Sequence, residues 1–183
     1  MPRPVLKRTE TTGGAYNHPA GGFVCVITNA TENQAEEYLE ISYDIAEGEH
    51  AGHYEYSNSF RRYYSEPKDP SWGNALAKFL TAVEDSNPGF SIERWQQTWD
   101  CVALRGLKFG GVFKENLYTD TKGNDRSRPR FVYACGANRI REKDFKVPDP
   151  LDERVKLGGR GASVGGFTPN DLKFQPVDDV PFY

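Results

Sequence analysis

The stretch Tyr38-Leu39-Glu40-Ile41-Ser42-Tyr43-Asp44-Ile45 alternates without a fault, with Leu39, Ile41, Tyr43 and Ile45 on one side and Glu40, Ser42 and Asp44 on the other. That period of two predicts a strand half buried against a core and half wet. Upstream, behind Gly13, Gly14, Gly21 and Gly22, the run Phe23-Val24-Cys25-Val26-Ile27-Thr28 is short, β-branched and bounded by Asn29. It predicts a first strand buried on both faces. Downstream, Glu47-Gly48-Glu49-His50-Ala51-Gly52 supplies a turn into a third strand over residues 53–64, with Tyr54, Tyr56 and Phe60 on one side. Antiparallel pairing of the three follows.

Pro67, Pro70 and Gly73 break this pattern, after which Leu76, Phe79, Leu80 and Val83 recur at helical spacing until Asn87-Pro88-Gly89. One amphipathic helix over residues 73–86 is predicted. Ser91 caps a second short helix in which Ile92, Trp95 and Trp99 share a stripe, so both tryptophans are expected against the sheet. Leu107, Phe109, Gly111 and Phe113 then alternate with Lys108, Gly110, Val112 and Lys114 in a fourth strand that bends at its paired glycines. After a turn at Lys122-Gly123-Asn124-Asp125, a fifth strand runs from Arg128 to Ile140. Three strands, a helix and two strands is the element order of the OB-fold. The expected class is mainly β: an OB-fold-like five-stranded Greek-key barrel with one main helix between strands 3 and 4, plus a flexible C-terminal tail. A twisted α+β sheet uses the same elements, and fold alone names no function.

The 183 residues suffice for one domain with tails, and 13% aromatics argue for a packed core. Cys25, Cys101 and Cys135 are odd in number and widely spaced, the pattern of reduced fillers and not of a disulfide framework or zinc site. The longest apolar run, Phe23 to Ile27, is far short of a membrane span. The opening MPRPVLKRTE carries charge with no apolar stretch behind it, so a cytoplasmic chain without membrane contact is expected. Beyond Val147-Pro148-Asp149-Pro150 the chain is rich in glycine, with Gly158, Gly159, Gly161, Gly165 and Gly166 unable to build a core. The expected organisation is an N-terminal arm over 1–19, the barrel over 20–149, a flexible linker over 150–176 and a tip over 177–183.

The net charge of −3 hides an asymmetry. Residues 31–60 hold Glu32, Glu36, Glu37, Glu40, Asp44, Glu47, Glu49 and Glu55 and no lysine or arginine, whereas residues 105–146 hold eleven bases against five acids. Binding a single strand of nucleic acid needs cations along the phosphates and flat side chains on which bases stack. Arg61, Arg62 and Tyr64 end the third strand, and Lys108, Lys114, Tyr118, Arg126, Arg128, Arg130 and Tyr133 lie along the fourth and fifth. These ten are the candidate nucleic-acid contacts. No cofactor is implied, and the sequence leaves the oligomeric state open.

The chain ends Val177-Asp178-Asp179-Val180-Pro181-Phe182-Tyr183, acids followed by proline and aromatics behind a Gly-rich spacer. This resembles the C-terminus of bacterial and phage single-stranded DNA-binding proteins, whose Asp-rich peptide ending Pro-Phe docks other genome-maintenance proteins. The segments AGGFVCVI, YLEISYDIAEGEHAGHY, AKFLTAVEDSNPGF and RIREKDFKVPD are similar to a family of small phage and prophage proteins with the same tail. The resemblance implies a non-sequence-specific single-stranded DNA-binding protein. It implies that Asp178, Asp179, Pro181, Phe182 and Tyr183 recruit replication, recombination or repair partners. Tyr183 is a departure, because the family's tip ends in Phe.

Two other classes compete. His50 and His53 lie near Glu47, Glu49 and Glu55, as in a metal-assisted hydrolase, but His18 is distant in sequence and a His-x-x-His pair on a turn has no fixed facial geometry. Gly158-Gly159-Arg160-Gly161 lacks the Lys-Ser/Thr pair of a phosphate loop, and no nucleophile triad is legible, so no enzyme is expected. The acidic stretch from Glu32 to Glu55 also suits a protein-interaction module without nucleic-acid binding.

Overall fold

The first strand, β1 (Gly21–Asn33), outruns the apolar stretch that announces it because its two halves have different neighbours. Gly21 to Val26 pairs antiparallel with β4 (Lys108–Thr119), and Cys25 to Asn33 pairs antiparallel with β2 (Tyr38–Ile45) across a register shift between Ile27 and Asn29. β3 (Asn58–Tyr63) continues from β2, and β5 (Asp125–Cys135) from β4, giving the order β3-β2-β1-β4-β5. A further strand, β6 (Leu151–Glu153), runs parallel to β4 on the edge that β1 leaves free past Phe113. The result, in a computed structural model that describes residues 17–55, 58–66 and 69–154, is a curled mixed sheet.

The main helix, α1 (Ala75–Ser86), starts where the Asn74 side chain accepts the Ala77 amide at 3.0 Å. Its predicted stripe of Leu76, Phe79, Leu80 and Val83 is buried. Those side chains meet Ile27, Leu39, Ile41, Tyr43, Phe109 and Phe113 in one cluster. Complete burial of a side chain such as Phe79, Phe109 or Phe113 is worth about 1.5–3 kcal/mol. Desolvation in this cluster raises the pKa of the Tyr43 hydroxyl, which instead accepts the Asn58 side-chain amide at 2.7 Å. Tyr54, Phe60 and Phe131 pack against the cluster; Tyr56, which the sequence sets on the same side as Tyr54 and Phe60, lies outside the described residues.

β3 and β5 lie at opposite ends of the strand order and share no ladder among the described residues. Side chains close the gap instead. The Phe60 and Phe131 rings stack 4.6 Å apart with planes 2° apart, and the Arg62 guanidinium sits 4.5 Å from the first ring centre and 5.3 Å from the second.

On the outer face of the sheet, Val24, Val112 and Cys135 form a second, smaller cluster with Ala137 and Ile140 of α3 (Ala137–Arg141), flanked by Phe145 and Val147. Two glycines admit this cover. A β-carbon on Gly110 would lie 2.6 Å from Ile140 Cγ1 and 3.0 Å from two backbone carbonyls, and one on Gly22 would lie 2.6 Å from the Phe145 ring. The paired glycines of the fourth strand thus serve close approach, and the register shift comes one step later, between Val112 and Phe113.

Several boundaries differ from expectation, each for a local reason. Residues 50–55 form turns, because both Asp44 carboxylate oxygens are bonded to backbone amides there, Oδ1 to Tyr54 at 2.9 Å and Oδ2 to Glu55 at 3.2 Å. The third strand therefore begins at Asn58. β4 continues to Thr119 along its ladder with β5, and β6 covers its other edge from Asn116 to Tyr118, so the linker expected from residue 150 starts with ordered pairing. Gly136 ends β5 and α3 follows, where a strand to Ile140 was expected. The N-terminal arm expected over 1–19 includes His18, which is 2% exposed. No helix among the described residues is long and apolar enough to cross a membrane.

Candidate nucleic-acid interface

The expected contacts do not form one groove. Lys108, at the start of β4, places Nζ 2.9 Å from Glu47 Oε1, and Arg141 reaches the same carboxylate from α3 at 2.7 Å. Hydrogen bonds from Arg141 and then Lys108 hold the Glu47 carboxyl at about 2 against an ordinary 4.5. This cluster satisfies its own charges. Tyr133 is also occupied: its hydroxyl donates to the Lys146 carbonyl at 2.8 Å and accepts the Lys146 amide at 3.2 Å. The Tyr64 hydroxyl donates to Glu32 Oε1 at 3.0 Å.

The third strand carries a different arrangement. Arg62 faces the seam between Phe60 and Phe131, while Arg61 is exposed on the other face, its guanidinium 4.7 Å above the Tyr38 ring. Tyr63 lies directly across from Tyr38, with ring centres 5.3 Å apart. Tyr63, which is not among the ten expected contacts, is thus the tyrosine beside Arg61, whereas Tyr64 bonds to Glu32. Strand alternation carried the signal, because Phe60 inward puts Arg61 and Tyr63 together on the outer face.

The remaining bases converge on the outer half of the β4–β5 hairpin. Its register sets Lys114 opposite Arg130, Asn116 opposite Arg128 and Tyr118 opposite Arg126. All six positions are two residues apart along their strands, so they share one face, in rows repeating every ~6.6–6.8 Å. Arg128 stacks 4.9 Å above the Tyr118 ring. Arg126 is bonded to Asp120 at 3.1 Å, whose carboxyl is held at about 2, first by the Asn124 backbone amide and also by Arg126. Arg130 comes within 3.9 Å of Glu153 on β6, and that carboxylate also accepts the Asn116 side-chain amide at 3.0 Å. Among the described residues, Lys114 and Arg128 have no acidic partner. Two cations directly opposite, Lys114 and Arg130, repel one another across the ladder, an arrangement that an anion laid along this face relieves.

No family model matches the chain, and no curated protein matches it either.

The structure also gathers residues that sequence distance kept apart. His18 packs against His53 with ring centres 5.1 Å apart, against His50 at 6.2 Å, and against Phe23 and Phe113 at 4.8 Å each. Its Nδ1 lies 2.8 Å from the Pro19 carbonyl, which can only accept, so Nδ1 carries the proton and Nε2 accepts from the Tyr54 hydroxyl. Both ring nitrogens are thereby engaged. Among the described residues, no group of three or more His, Cys, Asp or Glu is arranged to hold a metal ion. Trp95 and Trp99, expected on one stripe, touch ring to ring at 5.0 Å but differ in backbone and exposure. α2 (Ile92–Trp95) stops at the first, which is 6% exposed, and Trp99 turns outward with φ 50° and 37% exposure. The tip residues Asp178, Asp179, Pro181, Phe182 and Tyr183 lie outside the described residues.

Proposed function

We propose that this protein binds single-stranded DNA without strong sequence preference, coating and protecting it in replication or recombination, on an OB-like barrel. The carrying observation is the hairpin face, where Lys114, Arg126, Arg128 and Arg130 share one side with Tyr118, Arg128 stacks on its ring, and Lys114 and Arg128 lack acidic partners among the described residues. Cations in rows with a flat ring between them suit a phosphate backbone and stacked bases of any identity. The strand order β3-β2-β1-β4-β5 with α1 between β3 and β4 supports the OB reading, as an OB barrel opened at its β3–β5 seam. Arg61 with Tyr38 and Tyr63 offers a second, smaller surface of the same chemistry. Lys108, Tyr133 and Tyr64 have partners within the fold away from this hairpin face, so the reading rests on them less. Recruitment of replication, recombination or repair proteins by the tip rests on the sequence resemblance.

Anisotropy titrations with labelled oligo-dT, oligo-dA and a duplex of equal length test the reading. Both single strands bind, the duplex binds far more weakly, and affinity falls with salt at a slope of about −0.7 per phosphate neutralised. Equal affinity for duplex, or binding indifferent to salt, rejects it. Removing residues 177–183 abolishes partner capture and leaves single-strand affinity intact if the tip serves partners alone.

A further inference from the structure

The hairpin face already carries an anion. Glu153 on β6 stands in register beside Tyr118, its Oε2 accepting the Asn116 side-chain amide at 3.0 Å and its Oε1 lying 3.9 Å from Nη1 of Arg130. One carboxylate thus turns one oxygen to a guanidinium and the other to an amide N–H, the same two acceptors that the free oxygens of a phosphodiester offer.

This occupant is weakly held. β6 has three residues, and among the described residues its only ladder is the one with β4. The pair with Arg130 is long and partly exposed, the kind of ion pair that contributes least. Asn116 is fully buried, yet its Oδ1 meets no donor among the described residues, so the closed arrangement satisfies half of this amide and leaves the other half unmet. Lys114, two residues along from Asn116, and Arg128, directly opposite it, have no acid of their own among the described residues. A nucleic-acid strand brings the same pair of oxygens together with further phosphates for Lys114 and Arg128. One carboxylate cannot do both.

We propose that Arg130 and Asn116 form a phosphate site held shut by Glu153, and that a bound single strand displaces this carboxylate and releases β6 from β4. The proposal rests on the hairpin reading above and adds to it the exchange of one anion for another. Asn116 pairs with Leu151 and bonds to Glu153, so a ligand reaches it only once β6 gives way. Apparent affinity is then the intrinsic affinity reduced by the fraction of molecules in which Glu153 has let go.

Titration of labelled oligo-dT with the full chain at low salt tests this, comparing wild type with Glu153→Gln. Asp149→Asn, at an exposed acid four residues away, controls for the loss of one charge. Glu153→Gln tightens binding about fivefold or more and Asp149→Asn less than about twofold, and the gap narrows as salt screens the Glu153–Arg130 pair. Hydrogen exchange on the wild type supplies a readout without substitution: the amides of residues 151–153 exchange at least about tenfold faster when oligo-dT is saturating. Equal affinities for Glu153→Gln and Asp149→Asn, or β6 amides that slow or keep their rate on binding, overturn the proposal. The hairpin reading survives that outcome if Lys114→Ala with Arg128→Ala still loses affinity. A wild type that binds no single strand overturns both.

Discussion

The two halves of β4 are made of the same kind of strand and do opposite things. From Lys108 to Phe113 the strand lies between β1 and β5, Phe109, Val112 and Phe113 are fully buried, and its one cation is neutralised by Glu47. From Lys114 to Thr119 it pairs with β5 and, at Asn116 to Tyr118, with β6, contributes little to the main cluster, and sets one cation, Lys114, directly against another, Arg130. Charge is satisfied in place in the first half and left facing its like in the second, and the proposed binding face rests on that difference.

The sharpest way to break this division is to truncate each half. Phe113→Ala should cost about 3–5 kcal/mol of unfolding free energy in urea titrations, while Tyr118→Ala should barely move stability yet weaken single-strand binding by about 1–3 kcal/mol. Comparable stability losses would show that the hairpin belongs to the core. Next in size, Lys114→Ala with Arg128→Ala should lower single-strand affinity roughly tenfold to a hundredfold, about 1.4–2.7 kcal/mol, and flatten the salt slope by about 1.4. An unchanged slope would place the phosphates elsewhere.

A smaller effect concerns the joint between the halves, where His18 packs on Phe113 and its neighbour Asn17 donates to Ser127 of the hairpin. Burial lowers the His18 pKa below 6.5, the Pro19 carbonyl opposes that shift, and His53 and His50 add to it. The unfolded chain thus binds the proton more readily than the folded one. The stability this group contributes is complete above pH 6.5 and is lost as pH falls from 6.5 toward its lowered value. Thermal melts across that window should show a fall that His18→Phe abolishes. Smallest of all, Lys108→Ala should leave single-strand affinity within about twofold and cost at most about 1 kcal/mol, the worth of an exposed ion pair. A large loss of binding would place Lys108 in the contact set.

Elements with a period and a boundary were legible: the alternation of residues 38–45, and the stripe of α1 closed by Asn87-Pro88-Gly89. Elements without either were not. α3 has five residues, too few for a period, and β6 has three, defined only by the strand it lies against. In the site, composition identified the hairpin bases, while pairing partners stayed hidden. Nothing near Lys108 announces Glu47, sixty-one positions away, or near His18 announces Tyr54. Spacing also misled at Trp99, where a stripe of four presumes a helix that ends at Trp95.

The seam between β3 and β5 has a kinetic consequence. β1 is held by a ladder on each edge, but β3 is held by one ladder and a pair of stacked rings. Lifting β3 away costs fewer hydrogen bonds than lifting any strand inside the order, so its amides belong to a unit that opens while β1, β2 and β4 stay protected. Exchange with deuterium should therefore run from the seam inward, and the curled sheet can part along one line without unfolding.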